Sequence, residues 1–182
     1  MNKKRLSAQD WLEHGLETLT QDGFAALKAA SMTKALGVSR GSFYWHFKDI
    51  EDFKRRLLAT WQQRTVAQAA SLGPLDPKTQ LLALMKASLR DGLELERAVR
   101  AWATHDPEAQ RTVSVVDSLR LFTLESIMRA AGAPDPRPRA AFVYAASLGQ
   151  LAVDSNVLGI DEGHLEALAD LMLGAKPNRR SK

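Results

Sequence analysis

Serine chemistry is the first possibility the chain offers. Gly37-Val38-Ser39-Arg40-Gly41 has the G-x-S-x-G spacing of a hydrolase nucleophile elbow. That elbow needs a strand immediately ahead of it. Ala29 to Leu36 is instead an alanine-rich run without Pro or Gly, which reads as a short helix, and no βαβ pattern occurs. Metal chemistry is the second possibility. Asp161, Glu162, His164 and Glu166 lie close together, but four polar residues opening a helix are more often a solvated cap. His14, His46 and His105 are scattered, and there is no H-E-x-x-H, P-loop or dinucleotide glycine pattern. The chain has no Cys, which removes thiol nucleophiles, disulfides and Cys metal sites. No catalytic residue, metal or cofactor is expected; a hydrolase using Ser39 stays as the alternative from another class.

The same stretch fits nucleic acid better. Gly37 stands where a helix C-terminus needs a residue tolerant of a left-handed backbone. Val38 can plug the angle between two helices, and Ser39 is a good N-cap for the next. Helix, glycine turn and second helix make a helix-turn-helix, whose second helix enters the DNA major groove. Ser39 and Ser42 are short donors beside free backbone N–H groups that suit phosphate. Arg40 can reach base edges or phosphate. Phe43 and Phe47, at i and i+4, are predicted to face inward. Tyr44, Trp45 and His46 are then left to meet DNA, with Lys48 following.

Charge distribution agrees. The chain's net charge is +4. Residues 28–56 hold seven cations (Lys28, Lys34, Arg40, Lys48, Lys54, Arg55 and Arg56) against three acids, an excess equal to that of the whole chain. Alone this could be a solvated helix face. Beside a helix-turn-helix it supports a phosphate-facing surface.

Gly37-Val38-Ser39, Phe43-Tyr44-Trp45-His46-Phe47-Lys48 and Glu51-Asp52-Phe53 resemble the DNA-binding signature of the tetracycline-repressor (TetR) family of transcriptional regulators. The resemblance covers about residues 7–60. It implies Ser39, Arg40, Gly41, Ser42, Tyr44, Trp45, His46 and Lys48 as DNA contacts, with Arg40 as the base reader. Three positions depart from the family pattern. Leu27, Lys28, Ala29 and Ala30 stand where a Thr or Ser cap is usual, leaving Lys28 as the local phosphate contact. Thr33 replaces a small Ala. Ile50 replaces a Lys, for which Lys48, Lys54, Arg55 and Arg56 are the available substitutes.

These residues must be positioned by helices. A chain of 182 residues with 45% hydrophobic content suits one compact body or a small domain plus a medium one. No apolar run approaches the ~20 residues of a membrane span, and no apolar segment follows the basic Met1 to Arg5. A cytoplasmic protein that does not enter the membrane is expected. After a basic arm, Ser7 to Asp10 resembles a capping box, opening a helix that ends at Gly23. A longer helix opens at Lys48 and ends by Leu72-Gly73-Pro74. Further helices are predicted over Lys78 to Arg90, Leu93 to Thr104, Pro107 to Ala131, Ala140 to Leu158 and Asp161 to Leu173. The expected fold is all-α: a DNA-binding domain over 1–60, a helical effector-binding and dimerisation domain over 61–175, and a basic tail over 176–182.

Two further sites are expected in the helical part. Arg100, Trp102, His105, Asp117, Arg120 and Phe122 lie among apolar helical residues. They read either as a ligand pocket with a few polar handles or as surface and structural ion pairs. Ala141, Ala145, Gly149, Ala152 and Asn156 form a small-residue stripe, and Leu165, Leu168 and Met172 an apolar one. Two such helices from each of two chains would make a four-helix homodimer interface. The resulting expectation is an operator-binding repressor released by a small effector; a constitutive DNA-binding protein without effector is the other reading.

Overall fold

The structure is a computed structural model that describes residues 6–73, 75–89, 93–153, 157 and 159–174. The basic arm ahead of Leu6, Pro74, Asn156 and the tail from residue 176 lie outside the described residues. Among the described residues every regular element is helical, as expected of an all-α chain.

Helix α1 (Ala8–Asp22) opens on the expected capping box. Asp10 N–H donates to Ser7 Oγ at 3.2 Å, and Ser7 N–H donates to Asp10 Oδ2 at 2.7 Å. A 3₁₀ turn (Phe24–Ala26) leads to α2 (Ala29–Ala35) and α3 (Arg40–Tyr44). Helix α4 (Ile50–Ser71) follows. Four aromatic side chains knit these elements together. The Phe43 ring lies 5.5 Å from Trp11, 5.2 Å from Phe47 and 5.6 Å from Phe53, and Phe47 meets Phe53 edge-on at 4.9 Å. Such pairs add ~0.5–1.5 kcal/mol each beyond the area they bury. Gly15 lets α1 and α4 close on one another: a Cβ there would lie 2.5 Å from Phe53 Cζ.

Helices α5 (Pro77–Leu89), α6 (Leu93–Ala103), α7 (Pro107–Ala130), α8 (Pro136–Gly149) and α9 (Glu162–Leu173) complete the described fold. The chain divides into two compact units, Met1–Val66 with Glu94–Val115, and Ala67–Leu93 with Val116–Lys182. This division is discontinuous, with Glu94–Val115 joining the first unit. Helices α4 and α7 each run from one unit into the other. The second unit is centred on Leu81, Leu124, Met128, Ala140 and Ala169. Lys78 ties α5 to α9 through Asp170 (2.6 Å) and Glu166 (3.2 Å). Arg139 donates to the carbonyls of Leu171 (2.7 Å) and Met172 (3.0 Å), satisfying orphan acceptors at the end of α9.

Helix α8 corrects the expected span of 140–158. It starts four residues earlier because Pro136 and Pro138 sit in its first turn, where no intrahelical N–H is needed. Asp135, at φ 48°, makes the turn into it. Its described helix stops at Gly149, after which Leu151 and Ala152 N–H donate three residues back, to Leu148 and Gly149 carbonyls. The small-residue stripe is therefore not one continuous helix face: Ala152 lies in the turn.

Candidate nucleic-acid interface

The turn before α3 is built by Gly37. At φ 64° it occupies the left-handed region. Its N–H donates to Lys34 O (3.2 Å) and Val38 N–H to Thr33 O (3.0 Å), closing α2. Thr33, buried under this turn, satisfies its hydroxyl by donating to Ala30 O at 3.0 Å. A Thr at this position is thereby accommodated. Ser39 occupies the N-cap of α3 with extended backbone, but its side chain makes no capping hydrogen bond. The strand that a nucleophile elbow requires is absent here, since α2 precedes Gly37.

Helix α3 divides its side chains sharply. Phe43 and Phe47 are buried at 0% and 1% exposure, while Tyr44 and Trp45 stand out at 50% and 76%. Ser39, Arg40, Gly41 and Lys48 are exposed and Ser42 half-buried on the same short segment. Gly41 is informative. Glycine inside a helix costs ~1 kcal/mol relative to Ala. A Cβ there would meet Ser39 Oγ at an ordinary 3.7 Å, so no internal clash demands glycine. The bare position leaves room for another molecule's backbone to approach.

Cations around α3 fall into two groups. Lys54 pairs with Glu51 at 2.9 Å, and Arg55 and Arg56 pair with Asp52 at 3.5 and 3.2 Å. Arg56 also lies over the Phe47 ring, 5.4 Å from its centroid. Asp52 serves the start of α4 as well, accepting from Lys48 N–H at 3.2 Å. That backbone bond, opposed by desolvation and aided by Arg56 and Arg55, holds the Asp52 carboxyl below its ordinary value. Lys28, Lys34, Arg40 and Lys48, by contrast, have no carboxylate partner among the described residues. Lys28 is exposed at the N-cap of α2, with no side-chain capping bond. Of the substitutes for the missing lysine at Ile50, only Lys48 is thus without an ion pair among the described residues.

His46 is the member of the aromatic run that behaves differently. It is half-buried, and its Nε2 lies 2.9 Å from the Leu6 carbonyl oxygen, 40 residues back. Nothing local in the sequence signals this bond. The start of α4 is held by a local bond: Asp52 N–H donates to Asp49 Oδ1 at 2.7 Å.

The six residues considered for an effector pocket fall in both units. In the first, Arg100 donates to Glu96 at 2.8 Å, the buried Trp102 indole bonds Asp106, and His105 faces Phe24 with ring centroids 6.1 Å apart. In the second, Asp117 accepts from Tyr144 Oη at 2.6 Å, Arg120 is half-buried, and Phe122 is 65% exposed. On α8, Ala141 and Ala145 are exposed and Gly149 half-buried, and a Cβ at Gly149 meets nothing within 4 Å. On α9, Leu165 is buried, and Leu168 and Met172 are half-buried. The polar cluster that opens α9 has other tasks. Asp161 and His164 form a capping box, while Glu162 and Glu166 pair with Lys86 and Lys78.

Comparison with known proteins agrees with this geometry. Residues 12–57 match the model for bacterial regulatory proteins of the tetR family. The HTH-type transcriptional regulator AcrR of Shigella flexneri is 37% identical over 54 residues, 28% of this chain and 25% of that protein. The curated relatives are matched over little more than a third of their length at most. Among solved structures, a transcriptional regulator of the TetR/AcrR family superposes with TM-score 0.77 at 18% identity, covering 91% of this chain and 97% of that one. A transcriptional regulator from Saccharomonospora viridis, in complex with choline, gives TM-score 0.70 at 15% identity, covering 92% and 95%. At these identities the likeness is one of fold. The family model and both curated relatives are transcription regulators. Residues 12–57 thus carry a helix-turn-helix that matches the tetR family of bacterial regulatory proteins, and the helical remainder shares the fold of the solved regulators.

Proposed function

We propose that the chain is a homodimeric repressor that reads operator DNA with α3 and leaves it on binding a small effector. The observation that carries the DNA part is the division of α3. Phe43 and Phe47 are locked in an aromatic core, while Arg40, Tyr44, Trp45 and Lys48 are exposed beside cations without carboxylate partners among the described residues. Arg40 reads base edges. Ser39, Gly41, Ser42, Tyr44, Trp45 and Lys48 take phosphates, with Lys28 as a contact from α2 and His46 at the edge of the surface. Residues 1–60 carry this activity, and the helical remainder carries dimerisation and effector binding. No helix among the described residues is long and apolar enough to cross a membrane, in keeping with a cytoplasmic regulator.

Dimerisation is proposed through α8 and α9. One face of α8 is filled from within its own unit by Ala140 and Val143. The other exposes Ala141, Phe142 and Ala145, and Leu171 of α9 is exposed as well. An isologous pairing of these faces suits paired DNA heads at half-sites one helical turn or a multiple apart. Effector control is supported by the choline complex of the S. viridis relative in fold. The proposed handles are drawn from Arg100, Trp102, His105, Asp117, Arg120 and Phe122. The effector must favour the DNA-incompetent state, so operator must weaken its binding by the same factor. A ligand found by thermal shift whose affinity is unchanged by saturating operator is not the inducer. If no ligand shows such coupling, the protein is a constitutive binder. The DNA reading is tested by selecting bound duplexes from a random pool: a recovered consensus supports it, and a pool without enrichment refutes it.

A further inference from the structure

Resting on the DNA reading, we propose that His46 is a proton-gated phosphate contact, made by the imidazolium and not by the neutral ring, so that duplex binding takes up a proton. The two ring nitrogens have different fates. Nε2 lies 2.9 Å from the Leu6 carbonyl oxygen. A carbonyl only accepts, so Nε2 must carry a proton there. In the neutral ring the other nitrogen, Nδ1, is left with a lone pair and can only accept. Nδ1 has no hydrogen-bond partner among the described residues and is not buried. It belongs to the segment that holds the exposed Tyr44, Trp45 and Lys48. A phosphate oxygen is itself an acceptor and repels that lone pair. A second proton, on Nδ1, turns the same position into a charge-assisted donor and leaves the bond to Leu6 in place. An imidazole gains that proton within about pH 5 to 8, and no other residue of the proposed DNA surface is a histidine.

The titratable and charged groups on the elements that meet at the ring are Asp10 of α1, Tyr44 of α3, and Lys48, Asp49, Asp52 and Arg56 about the start of α4. The carboxylates are otherwise engaged. Asp10 serves the capping box, Asp49 accepts from Asp52 N–H, and Asp52 accepts from Lys48 N–H and pairs with Arg55 and Arg56. The histidine ion pairs among the described residues are those of His14 and His164; no carboxylate there lies within 4.0 Å of the His46 nitrogens to stand in for a phosphate.

The experiment uses the duplex that the wild-type protein recovers from a random pool, at constant salt. Affinity is measured from about pH 8 down to about pH 6, and proton uptake by calorimetry in buffers of different ionisation enthalpy. The expected result is net proton uptake on binding, with affinity rising as pH falls by up to roughly tenfold per pH unit for each proton taken up. His46→Gln keeps a side-chain N–H for the Leu6 carbonyl but never charges, so its affinity should stay flat near the wild type's value at the higher pH. His46→Arg is charged throughout, so its affinity should stay flat near the wild type's value at the lower pH. A wild-type affinity independent of pH, or binding without proton uptake, overturns the proposal whether or not the variants fold. Binding that weakens as pH falls overturns it too, since Nδ1 would then be accepting from a base edge. A His46→Gln protein that keeps the wild type's pH response assigns the proton to another group and overturns it as well. A pool without enrichment defeats the DNA reading and this inference together, whereas an enriched duplex bound without proton uptake defeats this inference alone.

Discussion

The helix-turn-helix and the α8–α9 pair are both made of short helices around apolar residues, but they spend those residues differently. In the first, Trp11, Phe43, Phe47 and Phe53 are all turned into one aromatic cluster. What stands exposed on α3 and just beside it is Ser39, Arg40, Gly41, Tyr44, Trp45 and Lys48. In the second, aliphatic side chains and alanines fill the interior, and apolar residues are left outside as well: Phe142, Leu171 and Ala145. A surface of cations and hydroxyls around an immobilised backbone suits a charged polymer. A surface of small and large apolar groups suits a second copy of a helix. The same element type therefore serves two kinds of partner, and the outward residues decide which.

The largest effect expected is from Phe43→Ala. Removing a fully buried ring costs ~3–5 kcal/mol, and this ring touches four others. Thermal unfolding should show the first unit melting early, and duplex binding should vanish. Leu81→Ala, equally buried in the second unit, should cost ~2–5 kcal/mol and leave the signal of the aromatic cluster unchanged near room temperature. If both variants abolish the near-ultraviolet aromatic signal together, the contrast between the two regions is broken.

Gly149→Arg comes next. A Cβ at Gly149 has open space within its own chain, so the variant should fold. An unpaired cation in the proposed seam is costly. Light scattering at micromolar concentration should give a dimer mass for the wild type and a monomer mass for the variant, with duplex affinity reduced. A dimeric Gly149→Arg protein would move the interface away from this face.

Smaller still is Arg40→Ala. It should cost ~1–3 kcal/mol on the selected duplex if the contact is bidentate to guanine, and almost nothing on random duplex. Tyr44→Ala should weaken both more evenly, since phosphate contacts carry no sequence information. Equal losses for Arg40→Ala on both duplexes would remove it as a base reader.

The smallest effect concerns pH. The Asp52 carboxyl is held below 3.8, chiefly by Lys48 N–H, with Arg56 and Arg55 adding to this. A depressed carboxylate stabilises the fold fully above its unfolded value and loses that contribution as pH falls through the lower folded value. Asp52→Asn should therefore be modestly less stable than wild type above about pH 4, and the two melting curves should converge below it. A gap that persists at pH 2 would mean that Asp52 acts through shape, not charge.

Much of the first unit was legible in the sequence because its signals are local. Gly37 announces its left-handed turn, Ser7 and Asp10 their capping box, and Phe43 and Phe47 at i and i+4 their shared inward face. The His46–Leu6 bond was not legible, since it joins residues 40 apart through a ring that composition alone makes a surface group. Nor was the sorting of cations, because whether Arg55 and Arg56 face DNA or Asp52 depends on rotamers rather than spacing. In the second unit the expected helix begins only after Pro136 and Pro138, at Ala140, although prolines in a first turn open a helix. Helical spacing continues past Gly149 into Leu151 and Val153, so periodicity overran the end of α8. The two-unit division was hidden for another reason: α4 and α7 each serve both units, and a continuous helix shows no boundary in its pattern.

The central claim is that the outward face of α3 reads a DNA sequence. Selection of duplexes from a random pool by the wild-type protein, followed by sequencing, tests it most directly. The account predicts enrichment of a two-fold symmetric consensus, with half-sites one helical turn or a multiple apart, and loss of that enrichment when Arg40→Ala is used for the selection. A pool that emerges unenriched, or a consensus that Arg40→Ala recovers unchanged, would contradict it.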